Sequence, residues 1–187
     1  MNDANTEKLE TRCGFAALVG APNAGKSTLL NQLVGAKVSI VSRKAQTTRA
    51  LVRGIAVDGP AQIILVDTPG IFRPKRKLDR AMVASALSGA ADADVIALLI
   101  DSRRGLDEGA EAILTQLAQS KTPKLLILNK IDLIAREKLL ALAAKLNERE
   151  KFEESFMVSA LTGDGVADLR QALGRRVKKS PWLYPAD

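Results

Sequence analysis

Phe15-Ala-Ala-Leu-Val-Gly20, Ala21-Pro-Asn-Ala-Gly-Lys-Ser27 and Thr28-Leu-Leu-Asn-Gln-Leu-Val34 follow one another without interruption. An apolar run of strand length meets a Gly-rich turn, and a helical segment leaves it, with Gly35 just past its end as a stop. Residues 20–27 fit G-x-x-x-x-G-K-[ST] in that strand–loop–helix context. The loop Gly20, Ala21, Pro22, Asn23, Ala24 and Gly25 is expected to fold into a nest whose N–H groups point at phosphates. The positive end of the helix adds to it, through Lys26, Ser27 and Thr28. Lys26 is expected to reach the β- and γ-phosphate oxygens, and the Ser27 hydroxyl to ligate Mg²⁺.

Working outward, Leu51–Val57 and Ala61–Val66 read as strands joined by Asp58-Gly59-Pro60, a hairpin signal that makes the pair antiparallel. A helix is expected around Asp79–Ala91. Three strand–helix units follow: Val95–Ile100 with 108–119, Lys124–Leu128 with 136–149, and Ser155–Val158 with 165–178. Continuous apolar strands alternating with helices predict an α/β fold with a parallel sheet covered on both faces. The expectation is six strands, one of them an antiparallel edge, and five helices. Ligands of such sheets sit at the carboxyl ends of the strands.

Four further loops fall at those ends. Asn129-Lys-Ile-Asp132 follows a strand, and its Asp132 carboxylate can accept from guanine N1–H and N2–H₂, donors that adenine lacks. Asn129 would hold the ring edge and the loop, and the stem of Lys130 would lie over the base. Asp67-Thr-Pro-Gly70 ends another strand. There Asp67 is the expected acidic partner of the metal, and Gly70 lets its backbone N–H approach the γ-phosphate. Ser159-Ala160-Leu161 is expected to offer a backbone N–H, that of Ala160, to guanine O6. In the loop 36–49, Thr47 and Thr48 both carry a hydroxyl able to complete the Mg²⁺ shell; Thr48 is favoured.

Composition narrows the chemistry. The 187 residues are 47% hydrophobic and only 3% aromatic, with one cysteine, Cys13, and no histidine. That leaves no disulfide framework and no stacking rows of aromatics for unpaired bases. Catalysis must rest on Lys, Asp, Ser, Thr, Asn and backbone groups, with Lys26, Thr48, Gly70 and Asn23 as its candidates. The segment 37–80 holds ten basic residues against three acidic ones, which equals the whole net charge of +7. It suits a polyanion, though charge runs are often only solvated loops. No membrane-length apolar run or signal region is present, so a cytoplasmic monomer is expected.

The spaced set of motifs resembles the translation-factor-type P-loop GTPases. Within them, Gly20 to Ser27 together with Arg43-Lys-Ala-Gln-Thr-Thr-Arg49 resembles the Era family, from about Phe15 to Tyr184. The resemblance implies a Ras-like three-layer sandwich, GTP/GDP as substrate and product, and a role in small-subunit ribosome assembly with rRNA as partner. It also implies slow hydrolysis, because Ile71 stands where Ras-like chains carry a water-orienting glutamine. Asn23 occupies a P-loop position at which relatives include potassium-activated enzymes, so its side-chain oxygen either ligates K⁺ or braces the loop. Family members continue into an RNA-binding KH domain, whereas this sequence ends at Ser180-Pro-Trp-Leu-Tyr-Pro-Ala-Asp187. Residues 1–12 are polar and are expected to be a flexible leader, with 13–179 the GTPase domain and 180–187 a truncated linker. RNA binding by the chain itself is expected to be weak. Rival readings are a GTPase of large-subunit assembly or tRNA modification, a P-loop phosphotransferase, and a nucleotide-gated binding module.

Overall fold

The computed structural model describes residues 10–35, 51–67 and 93–185. Along the chain run β1 (Arg12–Gly20), α1 (Lys26–Val34), β2 (Leu51–Asp58), β3 (Ala61–Asp67), β4 (Val95–Asp101) and α2 (Glu108–Leu117). Then come β5 (Lys124–Asn129), a single 3₁₀ turn (Ile131–Leu133), α3 (Arg136–Arg149), β6 (Glu154–Met157) and α4 (Val166–Arg176). Residues 1–9 of the leader expected over 1–12, the loop 36–49, the stretch 68–78 and the helix expected at 79–91 lie outside the described residues. Thr47, Thr48, Gly70 and Ile71 lie outside with them, and of Asp67 only the backbone is described.

The strands form one six-stranded sheet in the order β2-β3-β1-β4-β5-β6, parallel throughout except for β2. β2 turns back on β3 with Asp58 opposite Ala61, and Gly59 takes the positive φ that the tight turn requires. Among the described residues there are four α-helices. β1 starts at Arg12, earlier than the apolar run suggests, because Arg12 and Cys13 pair with Ala61 and Gln62 of β3. α2 and α4 each end two residues short of the predicted limits; after α4 the backbone turns extended at Val177.

Strand side chains alternate between two buried layers, as period-two geometry dictates. Ala16, Leu18, Ala97, Leu99, Leu125 and Ile127 pack with α1 and α4 through Leu29, Leu33, Leu169 and Leu173. Ala17, Val19, Ile96, Leu98, Leu126 and Leu128 face the other way, onto Ile113, Leu117 and Leu146 of α2 and α3. With both faces covered, polar ligands are left the edge at the carboxyl ends of the strands. Those ends are set level by register: Leu18 opposite Asp67, Gly20 opposite Leu99, and Asp101 opposite Asn129.

At the other edge, residues 177–184 run back over the sheet. Cys13 N–H donates to Lys178 O, and Thr11 and Ser180 exchange backbone and hydroxyl hydrogen bonds. Gln62, 1% exposed, holds the tail: its Oε1 accepts from the N–H groups of Leu183 and Tyr184 and from the Cys13 thiol, and its Nε2 donates to Tyr184 O. Trp182 Nε1 donates to Pro60 O at 2.9 Å. A glutamine buried on a strand requires partners; here the tail supplies them.

Candidate nucleotide-binding site

The turn after β1 depends on two glycines. A Cβ at Gly20 would stand 2.8 Å from Leu99 O. Gly25 has φ of 100°, and a Cβ there would stand only 2.3 Å from Asn129 Nδ2. Asn23 is also left-handed, with φ of 64°, a conformation asparagine tolerates better than most residues. Lys26 opens α1 and folds back across the loop, with Nζ donating to Gly20 O at 3.1 Å. Among the described residues no side chain caps α1 and no acid occupies its first turn. Its N-terminal amides therefore face the loop as a positive end suited to an anion.

Asn129, buried at the end of β5, ties three segments together. Its Nδ2 donates to Ala24 O and its Oδ1 accepts from Ala160 N–H, both at 2.9 Å. The phosphate loop, Asn129-Lys-Ile-Asp132 and Ser159-Ala160-Leu161 thus form one wall. Gly25, Thr28, Asn129, Lys130, Asp132 and Leu161 line a pocket of about 290 Å³ beside it, with Arg103 and Leu133 at its rim. That is close to the lower bound for small-molecule sites.

Two expectations change in detail. The Ala160 N–H, expected to serve guanine O6, is engaged by Asn129 Oδ1, because the two loops brace each other through that bond. Ser159 is fully buried, and its hydroxyl accepts from Thr162 N–H at 3.2 Å, so it shapes the turn from inside. Lys130 lines the pocket, and its ammonium donates to Asn23 O at 2.6 Å. Ala21 and Pro22 form the outer side of the loop, where Ala21 O accepts from Ala24 N–H. Ser27 and Thr28 are exposed at the start of α1.

Asp101 and Arg103 are part of the site and carry no motif in the sequence. Asp101 Oδ2 lies 2.7 Å from Lys130 Nζ, and the carboxylate also accepts from the Arg103 backbone and guanidinium. Burial alone would raise the Asp101 pKa; the hydrogen bonds from Arg103 and Lys130 outweigh it and hold the group at about 2. A folded-state value below the usual 3.8 means that the stabilisation is present above that pH and is lost as pH falls towards about 2. The available signal was positional: Asp101 ends a buried strand in register with Asn129.

The model of a family described as 50S ribosome-binding GTPase matches residues 15–130, more than half of the chain. The chain is 68% identical over 177 residues to GTPase Era of Afipia carboxidovorans, covering 95% of this chain and 58% of that protein. It is 37% identical to the crystal structure of Era in complex with MgGDPNP and nucleotides 1506–1542 of 16S ribosomal RNA, with a TM-score of 0.79. A variant of Aquifex aeolicus Era bound to GDP and AlF₄⁻ matches at the same identity, with a TM-score of 0.78. Both structures are covered over 95% of this chain and 61% of theirs, so the chain spans about three fifths of the length of these relatives. With its P-loop, its guanine-type loop and the six-stranded sheet that brings them together, the chain belongs to the 50S ribosome-binding GTPase family.

Proposed function

We propose that this chain binds GTP and hydrolyses it slowly as a conformational switch in assembly of the small ribosomal subunit. The observation that carries the nucleotide reading is the Asn129 tie, which holds the phosphate loop and the Asp132 loop around one pocket. Its test is Asp132→Asn, expected to weaken GTP binding at least tenfold and partly restore binding for xanthosine triphosphate. Xanthine presents an acceptor where guanine has its amino group, so an amide donor becomes the better partner. An unchanged preference in a competition titration removes the assignment.

Ser27, Thr48 and Asp67 would hold Mg²⁺, a hard cation that takes oxygen ligands and keeps water and phosphate oxygens in its shell. Ser27 lies in the first turn of α1 and Asp67 ends β3, opposite Leu18 of the strand that leads into the P-loop. The ion would neutralise charge on the transferring phosphoryl group, while Lys26 orients it and the α1 amides stabilise it. The Gly70 N–H would meet the γ-phosphate. For Asn23 the reading is that its side-chain oxygen ligates K⁺. Hydrolysis is then expected to run faster in K⁺ than in Na⁺ at fixed ionic strength, and to lose that difference in Asn23→Ala. Equal rates in both salts leave Asn23 as a loop brace, which its left-handed backbone already accommodates.

The small-subunit role rests on the Era relatives, one of which was crystallised with a 16S ribosomal RNA segment. The family description names the 50S ribosome instead, which favours the large subunit as the second reading. GTP turnover measured with isolated 30S and 50S subunits separates the two: stimulation by 30S alone supports the first, and by 50S alone the second.

A further inference from the structure

We infer that Asp101 is a positioning residue for guanine-nucleotide binding, fixing Lys130 against the P-loop; the inference rests on the nucleotide reading above. The Asp101 side chain is 6% exposed and its Oδ2 lies 2.7 Å from Lys130 Nζ. The same ammonium donates to Asn23 O at 2.6 Å, so one lysine spans from the end of β4 to the phosphate loop. Lys130 takes a left-handed backbone, φ 65°, at the corner between β5 and the 3₁₀ turn carrying Asp132. That corner is an unfavourable conformation for a lysine, and two bonds to its ammonium hold the side chain on the pocket side.

The carboxylate is itself locked. Asp101 Oδ1 accepts the Arg103 N–H at 3.0 Å, the Arg103 guanidinium reaches both oxygens, and the Ser102 N–H donates to Asn129 O. The ends of β4 and β5 are thereby tied at the residues beside the base pocket. Surface pairs such as Lys178–Asp94 and Lys179–Glu10 have lysines 82% and 62% exposed, and such pairs contribute little. Lys130 is 22% exposed and its partner nearly buried, so loss of the Asp101 charge removes the one carboxylate that the ammonium meets among the described residues and leaves the Asn23 carbonyl as its other anchor. The other well-buried lysine pair among the described residues, Lys124–Glu150, sits at the opposite end of β5. Asp101 does not line the pocket beside Asn129, and its carboxylate is taken up by Lys130 and Arg103. Its effect passes through Lys130, which lines the pocket and whose stem would cover the base of a bound nucleotide.

The test is a double-mutant cycle on the 187-residue chain: Asp101→Asn, Lys130→Met and both together, with GDP affinity and release read from a fluorescent GDP analogue. Asp101→Asn is expected to speed GDP release about tenfold, as removal of one partner of a buried charge pair acts mainly on the off-rate. The double variant should release GDP no faster than Lys130→Met, since a residue acting only through Lys130 has nothing left to act on. The ratio of GDP to IDP affinity should stay at the wild-type value in Asp101→Asn, because Asp132 still reads the base edge. Unchanged release in Asp101→Asn, or additive losses in the double variant, overturns the role of Asp101 and leaves the nucleotide reading standing. A wild-type chain that binds neither GDP nor GTP overturns both. Should Asp101→Asn fail to fold, the double variant lacks the lone ammonium and is compared with Lys130→Met directly. Equal release then supports the inference, and faster release overturns it.

Discussion

α1 and α2 start at the same edge of the sheet, and their first turns are built in opposite ways. α2 begins at Asp107, whose carboxylate accepts the Ala110 N–H at 2.9 Å, and Glu108 and Glu111 add negative charge to the first turn. That N-terminus is satisfied from within the chain. α1 begins at Gly25, left-handed and without a side-chain cap, with Lys26 beside it and no acid in the turn. A helix end that supplies its own anion is a structural joint. One that supplies only donors and a cation is arranged for an anion from outside.

The most severe break of this contrast is Gly25→Ala. The added methyl meets Asn129 Nδ2 at 2.3 Å and forces a left-handed residue other than glycine, so both the loop and its tie must shift. GDP binding is expected to fall at least about a hundredfold, since catalytic-site geometry tolerates displacements of only about 1 Å. Isothermal titration checks it, and near wild-type affinity would show that the loop is less tightly specified than the contacts suggest. Asn129→Ala is the next step down. It strips partners from Ala24 O and Ala160 N–H, and each unsatisfied buried group costs about 1–3 kcal/mol. For the two groups together, chemical denaturation should record a loss of about 2–6 kcal/mol, with GDP affinity falling at least tenfold as the two loops part. The mildest change is Asp107→Ala, which removes the α2 cap and is expected to cost about 1 kcal/mol of stability. GDP affinity should be unaltered, and a matching loss of binding would mean that α2 also serves the nucleotide.

Much of the candidate site is legible in the sequence. The P-loop glycines, Lys26, Asn129 and Asp132 are identified by spacing, because each must supply one group at a fixed distance along the chain from a strand end. The continuous apolar runs of β1, β4 and β5, set between helical segments, likewise announced a sheet buried on both faces. The ends of elements were less legible. Arg12 joins β1 only because β3 lies alongside, and the hydrogen bonds that extend a strand belong to its neighbour.

Local sequence, then, determined which residues can form a Gly-rich turn, a strand or a guanine-selective loop, because those properties depend on residues a few positions apart. Tertiary structure alone decided that Asn129 spends its amide on Ala24 and Ala160, and that Ser159 is buried. It also decided that Gln62 grips the tail beyond Ser180 and that Asp101 pairs with Lys130. These partners lie from 29 to 122 residues apart. Nothing in a single chain's residue order marks such a pair until the sheet sets the strand ends level. Burial then makes each unpaired polar group costly, and the nearest available partner is taken.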